Sequence, residues 1–129
     1  MTVTFNHTIV AAKDRTASAT FFTELFGLPA AKEFGPFLAV ELNHGVSLDY
    51  AQASAGADIP PQHYAFLVSE DEFDAIYGRI IDRGLQHWAD PHGSRPNEIN
   101  HNDGGRGVYF RDPAGHNLEI ITRPYGSGG

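Results

Sequence analysis

Apolar and polar positions along this chain fall into two runs of the same order. Residues 5–12, FNHTIVAA, alternate and are rich in β-branched side chains, which predicts a strand. A helix follows: Asp14 or Thr16 can cap it, Ser18, Phe22, Leu25 and Phe26 line one side, and Gly27 stands where a terminating glycine belongs. Three short strand-like stretches come next, at about 30–34, 37–43 and 46–51, the last two turning at Asn43-His44-Gly45. Residues 63–68, HYAFLV, open the second run with another strand. Ser69 and Glu72 have the spacing of a capping box. Phe73, Ile76, Tyr77, Ile80 and Ile81 then keep helical spacing, and Gly84 ends the helix. Strands near 85–89, 107–112 and 117–123 complete the run. Strand-helix-strand-strand-strand therefore occurs twice, on either side of an Ala-, Gly- and Pro-rich linker at 52–62. The fold class is α+β, with two βαβββ modules, about 5–51 and 63–123, in a single domain over 1–125. Residues 126–129, Gly-Ser-Gly-Gly, read as a flexible tail.

The repeat aligns chemistry as well as structure. His7 opens the first strand of one module and His63 that of the other. Ser47-Leu48-Asp49-Tyr50 closes the first module as Asn117-Leu118-Glu119-Ile120 closes the second. Side chains two apart share a strand face, so His63, Ala65 and Leu67 point one way, and Tyr64, Phe66 and Val68 the other. The bulky set suits packing beneath a helix. The polar set is expected on the helix-free, concave side.

Composition narrows the functions available. Acids outnumber bases 16 to 9 and the formal charge is −7, which disfavours nucleic acid as a partner. With no cysteine, there is no disulfide, thiolate ligand or Cys nucleophile, which fits a reducing, cytoplasmic setting. No basic stretch with an apolar core opens the chain, and nothing approaches a membrane span.

Two imidazoles and one carboxylate make a facial ligand set that leaves coordination positions open. His7, His63 and Glu119 are therefore the candidate ligands of one divalent ion, with Fe(II) favoured and Mn, Ni, Co or Zn suited by the same donors. Asp49 is a possible fourth ligand, one carbon shorter than a Glu would be. A lone strand histidine is more often structural; two at equivalent repeat positions favour a ligand role. Phe34, Phe37, Trp88 and Tyr125 are candidates to line a pocket for a flat ligand, although sheet aromatics are usually core. His44 is set aside as a turn residue, and His87, His92 and His116 are read as loop or turn residues. Residues 89–106, rich in Gly, Pro, Asn and Asp, form a long loop of the kind that serves as a lid or binding segment.

Residues 99–119 carry a more specific pattern. Ile99-x-His101 is followed by Val108-Tyr109-x-x-Asp112-Pro113-x-Gly115 and then Glu119. The chain resembles the vicinal-oxygen-chelate superfamily of glyoxalases, fosfomycin- and bleomycin-resistance proteins and extradiol dioxygenases, over nearly all of residues 5–123. This stretch is similar to the extradiol dioxygenase signature. The resemblance implies a curved mixed sheet with a concave metal site, Glu119 as a metal ligand, and Tyr109 and His101 as catalytic groups near the substrate. It also implies a homodimer, because two-repeat members commonly dimerise to complete their sites. The leading expectation is an extradiol-type dioxygenase acting on a catechol-like, aromatic substrate. A glyoxalase-type lyase or isomerase using Asp49 is the nearest rival. A non-catalytic dimer that binds an antibiotic or aromatic ligand is the third.

Overall fold

The computed structural model describes residues 2–128. The chain divides into two compact units, one running to Pro60 and the other starting at Pro61. Each is a four-stranded mixed sheet with one long helix.

In the first unit the order is β1 (His7–Ala12), α1 (Arg15–Phe26), β2 (Lys32–Phe34), β3 (Phe37–Glu41) and β4 (Ser47–Gln52). The strands lie in the order β1-β4-β3-β2, with β1 and β4 parallel and the other pairs antiparallel. The Asp14 carboxylate accepts from the Ala17 amide and starts α1. Gly27 ends it at φ 70°, donating its amide to the Thr23 carbonyl. Between β3 and β4 the chain turns through His44 and Gly45, both at positive φ, 62° and 74°. The core holds Val10, Phe22, Leu25, Val40, Leu48 and Tyr50.

The second unit repeats the plan: β5 (His63–Leu67), α2 (Glu70–Asp82), β6 (His87–Trp88), β7 (Gly107–Arg111) and β8 (Asn117–Ile121), in sheet order β5-β8-β7-β6. The Ser69–Glu72 capping box forms in both directions, satisfying two amides at the start of α2. Phe73, Ile76 and Ile80 are the buried stripe of α2. Each such side chain, fully withdrawn from water, contributes about 1.5–3 kcal/mol. Ile81, expected on that stripe, is 52% exposed, because it follows Ile80 by one residue and turns away.

Two expectations are corrected by the structure. The strand expected near 85–89 has only two residues. His87 is not a loop residue; it lies in β6 and is buried. Its Nδ1–H donates to the Leu85 carbonyl at 3.0 Å, and its Nε2 meets the Tyr77 hydroxyl at 3.2 Å. Beyond β8 the chain turns at Pro124–Ser127. Ser127 donates its amide to the Pro124 carbonyl, and Gly128 lies so close to the Asp103 backbone that no Cβ would fit. Among the described residues, no helix is long and apolar enough to cross a membrane.

Candidate metal centre

Strand register places the second unit's polar groups on one face. Trp88 pairs with Tyr109, Tyr109 with Glu119, and Glu119 with Ala65. Cross-strand partners share a face, so Trp88, Tyr109, Glu119 and Ala65 form one row across the sheet. Arg111, Asn117 and His63 form the next. The opposite face carries Tyr64, Leu118, Phe110 and His87. The Tyr77–His87 bond shows that α2 covers that second face, leaving the first free of helix.

On the helix-free face, His63 Nε2 stands 3.1 Å from Glu119 Oε1. His63 Nδ1 is 3.1 Å from the Asn117 carbonyl oxygen. A carbonyl only accepts, so Nδ1 carries the hydrogen, and Nε2 is the nitrogen turned toward the carboxylate. Two electron-rich atoms facing each other need a positive charge shared between them, either a proton or a metal ion. A backbone bond to the far ring nitrogen is also how metal-binding imidazoles are held in orientation. The donor set thus fits two ligands of a divalent ion.

Glu119 is only 1% exposed. The Tyr125 hydroxyl lies 2.7 Å from both of its oxygens, and the Tyr109 hydroxyl lies 3.1 Å from that of Tyr125. Loss of hydration, then the bonds to Tyr109 and Glu119, hold Tyr125 well above the usual phenol range. Tyr109 is raised too, chiefly by burial. Both phenols are therefore protonated donors at neutral pH.

The first unit holds the equivalent pair in the same register. His7 pairs with Ser47 and Ile9 with Asp49, as His63 pairs with Asn117 and Ala65 with Glu119. Asp49 is buried and accepts from the Ser47 hydroxyl at 2.9 Å. His7 is exposed, and its Nδ1 meets Asn6 Oδ1 at 2.6 Å rather than Asp49. Phe34 and Phe37 are partners at the β2–β3 end of this unit, with Phe34 69% exposed.

Beside Glu119 lies a cavity of about 370 Å³ walled by His63, Trp88, Tyr109, Arg111, Asn117 and Tyr125. His101 is exposed at the start of the turn Asn102–Gly104 and is not among the residues lining this cavity. Among the described residues, no three His, Cys, Asp or Glu side chains are gathered as a metal cluster. His63 and Glu119 come together as a pair, and His7 belongs to the other unit.

Sequence reasoning passed over Arg111, Asn117 and Asp90. Arg111 had a signal: it is two residues after Tyr109 on the same strand, so it shares that face. Asp90 ties down the start of the long loop. Its carboxylate accepts from the Ser94 amide and hydroxyl and from the Arg95 amide, which lowers its pKa to about 2, the Ser94 side chain contributing most. Further on, Asn100 donates to the Ala89 carbonyl and bridges to Gly107.

Fold and site together define a two-module α+β protein with a histidine–carboxylate pair on the open face of a mixed sheet. The model of the glyoxalase/bleomycin resistance protein/dioxygenase superfamily matches residues 4–120, and the chain belongs to that superfamily. Glutathione transferase FosA from Serratia marcescens is 33% identical over 127 residues, covering 93% of this chain and 81% of that one. Among solved structures, Oxidase ChaP-H2 is 64% identical with a TM-score of 0.95, covering 100% of both chains. Oxidase ChaP-H1 is 60% identical with a TM-score of 0.92, covering 96% of this chain and 98% of that one.

Proposed function

We propose that this protein is a metal-dependent oxidase or oxygenase acting on an aromatic substrate with adjacent oxygens, by extradiol-type chemistry. One observation carries the reading: His63, in the wall of an aromatic cavity, holds its Nε2 against the Glu119 carboxylate directly behind it. The 64% identity to a protein described as an oxidase supports redox chemistry over lyase chemistry.

In this reading His63 and Glu119 are two ligands of one divalent ion, Fe(II) being favoured. His7 and Asp49 occupy the equivalent positions of the first unit and are the remaining ligand candidates. Such an ion, when bound, polarises the substrate's adjacent oxygens and brings dioxygen beside them. The remaining work belongs to the protein. Trp88 and Tyr109 hold the ring flat, and the surrounding aromatic walls exclude water. On binding, the Tyr109 hydroxyl leaves its 3.1 Å bond to Tyr125 and donates to negative charge that develops on a substrate oxygen, while Tyr125 keeps its bond to Glu119.

Elemental analysis of anaerobically purified protein tests this. About one ion per chain is expected, lost in His63→Ala, together with oxygen consumption on a panel of catechols. Failure of the wild type to take up Fe, Mn, Ni, Co or Zn when offered each would end the enzyme reading in favour of a ligand-binding protein.

A further inference from the structure

We infer that the cavity beside Glu119 selects a planar aromatic molecule carrying an anionic substituent, a carboxylate or ionised phenol, with Arg111 reading the charge and Trp88 the ring. This rests on the reading of that cavity as the substrate site and adds the electrical character of the substrate.

The Arg111 guanidinium lies over the Trp88 indole, 4.9 Å from the ring centroid. Its Nε–H donates to Asn117 Oδ1 across a long 3.4 Å. Among the described residues no carboxylate pairs with it, and its two terminal nitrogens have no hydrogen-bond partner. Two other arginines of the same unit are ion-paired: Arg95 with Glu98, and Arg106 with Glu70 and Asp74. In a chain of formal charge −7, this guanidinium is nevertheless left open in a cavity wall.

The stack on Trp88 holds the guanidinium plane while leaving the terminal N–H groups open, and that planar fork matches a carboxylate in two-point contact. Gly93 keeps the indole accessible: a Cβ there would sit 3.3 Å from Trp88 Nε1. The volume of about 370 Å³ suits a small aromatic ligand, at the low end of the roughly 300–1,000 Å³ usual for such sites. Arg111 shares its row with His63, so an acid gripped there lies beside the histidine–carboxylate pair.

The test uses metal-stripped protein, so that no ion competes for the acid. A hydroxynaphthoate and the matching uncharged hydroxynaphthamide are titrated by calorimetry, with emission from Trp88, the sole tryptophan, as a second signal. The acid is expected to bind roughly tenfold more tightly than the amide. Arg111→Met should bring the acid down to the amide's level and leave the amide unchanged. In the wild type, rising salt should weaken the acid selectively, a readout that needs no variant. Equal binding of acid and amide by the wild type, or a preference that survives Arg111→Met, overturns the assignment. Binding of neither overturns it as well and removes the cavity as the substrate site. Metal content of the same preparation after reloading judges the metal-enzyme reading separately.

Discussion

The Tyr125 hydroxyl lies 2.7 Å from both carboxylate oxygens of Glu119. A phenol has one proton, and here the carboxylate receives it, so the Tyr109 hydroxyl donates in turn to the Tyr125 oxygen. A residue from the chain end thus covers a carboxylate on an otherwise open sheet face. The two phenols and the carboxylate form a directed chain of donors ending at the candidate metal ligand.

Tyr125→Phe should therefore act on chemistry more than on metal. The variant keeps the ring and loses the hydroxyl's bonds to Glu119 and Tyr109. Turnover should drop roughly tenfold or more, the scale of one charged hydrogen bond, with metal content unchanged. The stability cost should stay near 1 kcal/mol, since the ring is 62% exposed. A variant as active as the wild type would take Tyr125 out of the mechanism.

Asp90 predicts a pH effect. Its folded pKa is near 2 against an ordinary 3.8, so the contribution of its bonds to Ser94 and Arg95 is complete above about pH 4. That contribution is lost as pH falls from 3.8 toward 2, loosening the loop beside Trp88. Collisional quenching of Trp88 fluorescence should rise through that window. Asp90→Asn should show the raised quenching already at neutral pH. If the variant quenches like the wild type at pH 7, Asp90 does not order this loop.

Ser69→Ala serves as a structural counterpart. It removes both the acceptor for the Glu72 amide and the setting for the return bond from Glu72, and should cost about 1 kcal/mol in urea unfolding. Because Ser69 belongs to the helix side of the sheet, metal content should stay unchanged. A loss of metal with stability intact would mean that α2 governs the site.

Much of the fold was legible because its causes are local. Asp14, Gly27 and the Ser69–Glu72 box mark helix ends through bonds to amides within a few residues. The alternation in β5 is equally local: Tyr64 and Phe66 are partly buried, while His63, Ala65 and Leu67 are exposed. The pairing of His63 with Glu119 was legible for a different reason. A repeat carries one register twice, and matching positions in two modules point to the same face.

What escaped notice depends on contacts between distant segments. Alternation puts Glu119 on the open face but cannot say that Tyr125 buries it, because that follows from how the chain end folds back. The Arg111–Trp88 stack needs the β6–β7 pairing, and a two-residue strand leaves too little periodicity to read. His87 was hidden by the same brevity. Composition marks the loop from 89 as a lid or binding segment but not its shape, which one carboxylate accepting three bonds helps to set.

The sequence by itself determined the two βαβββ modules and the facing imidazole and carboxylate of the second, since periodicity, caps and repeat are properties of neighbouring residues. Only the tertiary structure decided what surrounds that pair: a phenol from the chain end, an unpaired guanidinium and an indole. Their meeting depends on strand register and chain reversal, which bring together groups that no local pattern relates.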